Sequence, residues 1–578
     1  MARGATQGLK TFAYGNFECG IKQRPVTSMF ETSSASIAAR LLAIVSLSVH
    51  IFSPGSIASE MTKSMTGVTG IAQCDALIAA GLGEQMLLPG DAEYEHRINS
   101  WWSASSRLRP WCIVQPLTTK DVSAAIKALA SVSHGGFAVR SGGHSHWAGG
   151  SSIDNGVTVD LGHFNKSTYD SERKVASLGP AQRWGDVFLF LENKGVMVAG
   201  GRDGNVGVGG LLTGGGNFFS QSSFTGSLFL LVNNRFIQVA LDLVRALVPL
   251  HNSYYTGRRG FVCDGLINAE VVLASGEIVN TNSQCNKDLW KALKGGLGNF
   301  GIVTRFDVEA FEAGQLWGGI RASEKTHADL VIEALIKFTD DNHKNPEAAF
   351  IVNFTFQPSM APDIIIAQVL VDTHGVANPP AFEQVQKIPE LFNDIKKRPM
   401  SGIANDYLLP SNLRNVWFTL SFKNDVRVVK KSAELHEAFV ADMLELVPAT
   451  DLVTQSLWQP LPKIFADIGS NKGGNMLGID QVEGNSLLWL CAASVKTPEH
   501  ESILHRKAAA MTAELRRFAE SIDANMPWIY VNYADPSQDA LKSYGVKNVR
   551  FMQDVAAKYD PHGVFQKMVP GSFRVSRI

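Results

Sequence analysis

The feature that most constrains this sequence is a glycine-dense segment at residues 200–216, in which nine of seventeen residues are glycine. Because glycine has no Cβ, backbone N–H groups in such a segment can approach a flat or anionic ligand closely. The residues between the glycines include Val206, Val208, Leu211 and Leu212, which we expect to pack inward, unlike those of a flexible linker. The segment matches neither the dinucleotide fingerprint nor the P-loop.

Short strands and helices alternate around this segment. We predict strands at 112–114, 137–140, 157–161 and 196–198, helices at 119–132 and 184–193, and a β-hairpin at 270–279. After about residue 313 glycine becomes rarer, and apolar strands at 350–354, 364–371, 417–422 and 487–490 alternate with amphipathic helices at 327–338, 428–446 and 499–521. The pattern predicts an α+β protein whose second domain is an antiparallel sheet covered by helices.

Charge and cysteine patterns exclude two classes of function. The chain has 53 Lys and Arg residues against 54 Asp and Glu residues, so it lacks the basic excess of a nucleic-acid-binding protein. No Cys-x-x-Cys pair or His/Cys cluster indicates a metal site, and we expect none.

The N-terminal region has the pattern of a signal peptide. Residues 37–52 are mostly apolar and are followed by small residues, which predicts cleavage near Ala58; Met29 is a natural alternative start. A single amphipathic anchor is the other interpretation. Secretion makes Cys74 and Cys112 candidates for a disulfide, and the sequons at Asn165 and Asn353 fit a secreted glycoprotein.

Four blocks occur in one order along the chain: Arg140-Ser-Gly-Gly-His-Ser145, the glycine segment, residues 264–276 with 288–306, and Tyr530-Val-Asn-Tyr-Ala-Asp535 with the C-terminal helix. Together they resemble the FAD-linked oxidoreductases of the vanillyl-alcohol-oxidase (PCMH-type) superfamily. The likeness is to the berberine-bridge-enzyme-like branch, of the fungal secondary-metabolism type. It extends from about Cys74 to Phe573.

The resemblance implies a two-subdomain FAD-binding PCMH-type fold with an inserted substrate domain. We expect an N-terminal extension and signal peptide at 1–58, the FAD-binding domain at 59–312, the substrate domain at 313–528, and a segment at 529–578 that returns to the FAD domain. A monomer is expected, with no membrane association after signal cleavage.

The resemblance also implies FAD bound covalently, through a bond from His144 to the flavin 8α carbon. The alternative is a loop histidine hydrogen-bonded to backbone. Many family members have a second tether, a cysteine, but Asp203 stands at that place, so we expect a single bond. The other residues expected to bind the cofactor are Arg140, Ser141, Gly142, Gly143, Ser145, Gly201, Gly207, Val208, Gly209, Gly210, Gly214, Gly215, Gly301, Ile302 and Asn532.

Catalysis by the family requires hydride transfer to the flavin and a base that removes a proton from the substrate. The resemblance makes Tyr530 the first candidate base and Tyr533 the second. A nearby Lys or Arg is one way to lower the pKa of a phenol enough for this role. The alternative is that both tyrosines are packing aromatics. Plant-type relatives place a glutamate on a strand that corresponds to 487–491, which has no carboxylate here. Asp480 is the nearest acid. His146 and Trp147 are candidates to touch the flavin ring.

Residues 221–258 have no counterpart in the family pattern. This largely apolar stretch interrupts a cofactor-contacting region, so we interpret it as a translated intron or gene-model error, with a genuine lid helix as the alternative.

The leading prediction is an oxidoreductase that acts on a small alcohol, amine or polycyclic secondary-metabolite intermediate and is reoxidised by O2. Two alternatives remain open: a secreted carbohydrate oxidase of the same family, and a secreted binding protein that retains flavin without catalysis.

Overall fold

The computed structural model describes residues 68–216, 253–406, 408, 410–571 and 573–578. The predicted signal peptide and the part of the predicted insertion at 221–252 therefore lie outside the described residues. The last residues of that insertion are described: Tyr254 and Tyr255 are buried, and a helix begins at Thr256 (Thr256–Arg259).

Four short strands form the first sheet, in the order β1–β2–β4–β3. They are β1 Met86–Leu87, β2 Cys112–Val114, β3 Gly136–Arg140 and β4 Gly156–Asp160. Strands β2, β3 and β4 are parallel, and helix Thr119–Ala130 connects β2 to β3, as parallel pairing requires. The helix begins with a capping box between Thr118 and Asp121.

A disulfide fixes the N-terminal helix Ala72–Leu77 to this sheet. Cys74 and Cys112 are bonded, with their Cα atoms 6.3 Å apart, which confirms the pairing that the sequence suggested. The C-terminal segment reaches the same sheet: the N–H of Phe137 donates to the Met568 carbonyl at 2.9 Å, and Phe565 packs into the core beneath it.

The second sheet is antiparallel, in the order β5–β6–β10–β8–β9, with β7 paired to β10. Its strands are β5 Ser167–Asp170, β6 Val175–Leu178, β7 Val196–Val198, β8 Leu266–Val272, β9 Ile278–Asn282 and β10 Ile302–Glu312. The predicted hairpin is confirmed, because Val272 pairs with Ile278 across the turn.

The third sheet is antiparallel and larger, in the order β14–β11–β13–β12–β17–β18–β16–β19, with β15 paired to β11. Its strands are β11 Leu316–Glu324, β12 Ala348–Phe356, β13 Ile365–Asp372, β14 Phe392–Asn393, β15 Lys396–Arg398, β16 Arg414–Lys423, β17 Val453–Leu461, β18 Ser486–Val495 and β19 Asn525–Met526. Three long helices cover it: Ala328–Asp341, Val426–Leu444 and Pro498–Ser521.

The predicted α+β class and the helix-covered antiparallel sheet are confirmed. Other helices of the described part are Ala92–Asn99, Trp184–Glu192, Val208–Thr213, Lys287–Leu293, Glu383–Gln386, Met400–Asp406, Ile464–Asn471, Val546–Tyr559 and Val564–Lys567. Across the described ranges, none of the helices is both long and apolar enough to cross a membrane.

Candidate cofactor and active site

A cleft enclosing about 1340 Å³, including its open mouth, lies where the first sheet, the second sheet and the C-terminal segment meet. Its walls come from the loop after β3, the glycine segment, the start of β10, and residues 565–571 and 573–574. Among its described lining residues there is no Asp or Glu, and Arg574 is the single Lys or Arg side chain. The cleft therefore suits a ligand that carries negative charge.

The loop after β3 supplies one wall, from Ser141 to Ser145. Gly143 turns this loop with a φ of +63°, a conformation that favours glycine. A Cβ at Gly143 would also lie 2.6 Å from Nε of Arg140. The side chain of Arg140 thus fills the space behind the loop and leaves no room for a larger residue there.

His144 lines the cleft and is 5% exposed. Its imidazole stacks on Trp102, with ring centroids 4.5 Å apart and planes 21° from parallel. Burial, assisted by the nearby Arg183 cation, lowers the pKa of His144 well below its usual value of 6.5. The imidazole is therefore neutral at physiological pH, and one nitrogen of a neutral imidazole carries a lone pair.

The glycine segment meets the His144 loop at backbone distance. A Cβ built on Gly142 would lie 2.5 Å from Cα of Gly207, and a Cβ on Gly209 would lie 2.8 Å from Oγ of Ser141. Neither contact leaves space for a methyl group. The apolar residues between the glycines are fully buried, as predicted: Val206, Val208, Leu211 and Leu212.

The structure places eleven predicted cofactor residues on this cleft: Ser141, Gly142, Gly143, His144, Ser145, Gly207, Gly209, Gly210, Gly301, Ile302 and Asn532. These come from four separate parts of the chain, so the fold brings together what the motifs predicted as one site. Their roles toward a cofactor stay predictions.

Arg140 does not line the cleft. Its guanidinium donates to the backbone carbonyls of Arg97 and Ser100, lies 3.7 Å from the Trp101 ring centroid and faces Asp160 at 3.8 Å. It supports the His144 loop from behind, because its own backbone belongs to β3 and its side chain does not line the cleft.

Four other predicted cofactor residues also lie off the cleft wall. Val208 is fully buried in the core. A Cβ on Gly201 would meet Trp184, and one on Gly215 would meet Leu477. Gly214 packs against the Asn532 side chain. The space beside these four residues is occupied by protein side chains and not by the cleft.

The two tyrosines lie in one turn, and the residues between them line the cleft. Val531 and Asn532 are on its wall, whereas Tyr530 and Tyr533 are fully buried and are not. The Asn532 side-chain amide donates to the Tyr530 hydroxyl oxygen at 2.9 Å, and the two phenol rings meet edge to face at 5.0 Å. The structure therefore places both tyrosines beside the cleft lining, and their role as bases stays a prediction.

Of the three remaining candidates, two line the cleft and one does not. His146 and Trp147 line the cleft, and His146 stacks on Trp417 of β16 at 4.3 Å. Burial lowers the pKa of His146 to about 3, so it is neutral. Asp480 is exposed and lies away from the cleft, which removes it as a candidate base.

Asp203, at the place of the second tether, is buried, and its carboxylate accepts from the N–H of Asn205 at 2.8 Å. It closes its own turn in the glycine segment. A carboxylate cannot form a thioether, so the structure has no second cysteine tether at this position.

Sequence reasoning missed several cleft residues. Arg574 is 9% exposed and donates to the carbonyls of Gly298 and Pro570, and no carboxylate pairs with it in the described ranges. Burial lowers its pKa to about 10, so it stays a cation. In the sequence, Arg574 is a basic residue a few positions after a proline and a glycine. That pattern alone does not indicate that it lies at the cleft.

Comparison with known proteins identifies the family. Residues 110–225 match the FAD binding domain family. The chain is 32% identical over 517 residues to the FAD-dependent monooxygenase drtC of Aspergillus calidoustus, covering 89% of this chain and 92% of that protein. It is 31% identical over 506 residues to the FAD-dependent monooxygenase sdcF of Emericella nidulans, covering 87% and 98%. This chain is an FAD-linked oxidoreductase of the vanillyl-alcohol-oxidase superfamily.

Solved structures agree on the fold of this FAD-linked oxidoreductase. Glucooligosaccharide oxidase of Acremonium strictum superposes with a TM-score of 0.67 at 19% identity, covering 87% of this chain and 98% of that one. The 6-hydroxy-D-nicotine oxidase of Arthrobacter nicotinovorans gives 0.65 at 18% identity, covering 83% and 96%. The predicted family, PCMH-type fold and enzyme class are thereby confirmed, with FAD as the cofactor.

Proposed function

We propose that this oxidoreductase carries FAD through a single covalent bond from the His144 imidazole and oxidises a small organic substrate, with O2 as the electron acceptor. One observation carries the proposal. The buried, neutral imidazole of His144 lines the same cleft as the glycine segment and as Asn532 of the tyrosine turn.

The cleft fits FAD on its own chemistry. Its glycine-lined walls carry no side chains, and a Cβ at Gly210 would meet no protein atom within 4 Å, so a large flat ligand can approach the backbone closely there. Arg574 offers a buried cation without a carboxylate partner in the described residues, and its Nε is without a hydrogen bond there. We assign it to the phosphates. When bound, FAD supplies the two-electron acceptor for a hydride from the substrate.

The tyrosine turn is assigned to proton removal. Tyr530 accepts a hydrogen bond from the Asn532 amide, and an accepted hydrogen bond favours the phenolate form. His505 holds the turn from the substrate-domain side, because its Nε2 contacts the buried Asp535 carboxylate at 3.0 Å. Burial opposes ionisation of Asp535, but hydrogen bonds from His505 and Ser537 lower its pKa, so the turn is anchored by a fixed negative charge.

The choice between oxidase and monooxygenase chemistry is open to direct measurement. The relatives drtC and sdcF are named as monooxygenases, which makes oxygen incorporation the second candidate. An oxidase releases one peroxide per substrate oxidised, whereas a monooxygenase transfers an atom from labelled O2 to the product. The carbohydrate-oxidase alternative is disfavoured by Asp203, since such enzymes favour a doubly tethered flavin.

The test is a screen of purified holoenzyme against alcohols, amines, phenolic polycycles and oligosaccharides, with flavin bleaching under anaerobic conditions as the readout. We expect bleaching with a non-carbohydrate member of the panel. Variants Y530F and Y533F should slow it by about 10²–10⁴-fold, the usual contribution of a positioned base. Wild-type bleaching rates in both variants would contradict the assignment of the base. A holoenzyme that bleaches with nothing would favour the non-catalytic flavin-binding alternative.

Secretion completes the proposal. It rests on the apolar stretch at 37–52, the exposed sequon at Asn165 and the Cys74–Cys112 disulfide, which is typical of oxidising compartments. The predicted sequon at Asn353 gives no support, because Asn353 is fully buried in β12. Glycosidase-sensitive mobility of the protein from culture medium is the expected result, and retention in the cytoplasm is the contradicting one.

A further inference from the structure

Arg202 is a buried cation next to the proposed active site that has no assigned role. It follows Gly201 in the glycine segment, is 1% exposed, and forms no ion pair with a carboxylate within the described ranges. Burial lowers the pKa of its guanidinium to about 9, so it remains charged at neutral pH. A buried charge without a counter-ion is costly, so this position calls for an explanation.

The polar contacts of Arg202 lead toward the tyrosine turn. One terminal nitrogen donates to Oε1 of Gln459 at 2.9 Å, and Nε2 of Gln459 donates to the Tyr533 hydroxyl oxygen at 2.9 Å. Tyr254 lies beneath the guanidinium at 5.3 Å from its ring centroid. The chain of contacts thus runs from a cation through one amide to a phenol.

Strand geometry explains why Gln459 points to this side. On β17 the neighbouring Trp458 donates from its indole nitrogen to Ser432 of helix Val426–Leu444, so it faces the helix layer. Successive side chains of a strand point to opposite faces, which directs Gln459 to the face opposite the helices.

The chemistry of the guanidinium decides how the amide is oriented. Arginine has donors and no acceptor, so the Gln459 atom that faces it must be the carbonyl oxygen. The Gln459 amide nitrogen then faces Tyr533, and the Tyr533 hydroxyl oxygen accepts a hydrogen bond from it. Without Arg202 the amide is free to turn and accept the phenol proton instead, which would favour the neutral phenol.

We propose that Arg202 is a positioning residue that fixes the Gln459 amide, so that its nitrogen donates to Tyr533 and favours the phenolate of that residue. This rests on the proposed function of the tyrosine turn and gives Tyr533 an amide donor that favours its phenolate, as Asn532 does for Tyr530. Arg202 touches neither reacting atoms nor cofactor in this account; it acts through Gln459.

The test is fluorine NMR of fluorotyrosine-labelled holoenzyme, in which the Tyr533 signal is assigned by its loss in Y533F and titrated with pH. In R202M and Q459M the Tyr533 titration should move up by about 1–2 pH units, the effect of losing one hydrogen bond to a charged group. R202K keeps a donor-only cation and should titrate within a few tenths of a pH unit of wild type.

Q459M separates this account from a direct effect of the Arg202 charge. It keeps the cation and removes only the amide, so a shift in R202M with none in Q459M would overturn the proposal. An unchanged Tyr533 titration in both R202M and Q459M would also overturn the proposal. If R202M does not fold, the comparison of Q459M with R202K tests it instead. The titration needs no substrate. Failure of the relay is therefore distinguishable from failure of the proposed function, which is read from flavin bleaching in Y533F.

Discussion

A methyl group at position 207 is the sharpest perturbation of the cleft that the structure offers. In G207A the new Cβ would lie 2.6 Å from Cα and 3.0 Å from N of Gly142. Carbon atoms pack at about 3.5–4.0 Å, so the two segments must separate by roughly 1 Å. Neither segment yields easily, because Val206 and Val208 flanking Gly207 are fully buried.

The magnitude follows from this geometry. Overpacking costs about 1–3 kcal/mol, and we expect the upper half of that range because both clashing groups are backbone. Gly142 is two residues before His144, so the same displacement moves the imidazole. A misplacement of about 1 Å can slow a reaction by about 10²-fold, and flavin attachment should slow by that order.

The assay combines the unfolding midpoint with the flavin retained after acid precipitation. G265A is the matched control, since a Cβ at Gly265 meets nothing within 4 Å. G207A should lose both stability and retained flavin while G265A keeps both. G207A with wild-type stability and full retained flavin would refute the close-packing argument.

Three further predictions concern neighbouring parts of the fold. In G210A the new Cβ meets no protein atom within 4 Å but lies on the cleft wall, so stability should be unchanged or raised by up to about 1 kcal/mol while flavin content falls; unchanged flavin content would count against a cofactor at this wall. The hydrogen bond to Asp535 raises the pKa of His505, so the stability it adds is present just below pH 6.5, where Asp535 is still ionised, and is lost as pH rises through the raised pKa. H505A should therefore destabilise the protein more at mildly acidic than at alkaline pH, as measured by denaturant midpoints, and an equal loss at both would contradict this. Because the Cys74–Cys112 bond closes a loop with a sequence separation of 38, the C74A/C112A variant should lose about 3–4 kcal/mol, and an unchanged unfolding midpoint would show that the bond does not stabilise the fold.

Local patterns predicted the elements that depend on neighbours in the sequence. The helix Thr119–Ala130 and the strand Val196–Val198 follow from apolar spacing alone, and the inward packing of Val206 follows from its place among glycines. Strands β11 and β17 were missed. In β17, Pro460 and two glutamines interrupt the apolar run that would indicate a buried strand, although both of its edges are paired in the sheet.

Contacts between distant segments could not be predicted from the chain. Arg202 and Gln459 are 257 residues apart, and Gln459 and Tyr533 are 74 apart. The stacking of Trp102 on His144 likewise joins a helix-flanking turn to the loop after β3. Motifs identified the site residues, but which side chains face the cleft depends on strand direction and packing. Arg140, predicted to bind the cofactor, does not line the cleft, and the two candidate bases are buried beside Asn532, which does.

The covalent bond at His144 is the central claim and can be measured directly. Mass spectrometry of proteolytic peptides from purified holoenzyme should find the peptide that contains His144 heavier by one flavin adduct, located on that imidazole by fragmentation. H144A should yield no flavin-bearing peptide. An unmodified His144 peptide from fully yellow enzyme that releases all its flavin on denaturation would contradict the account.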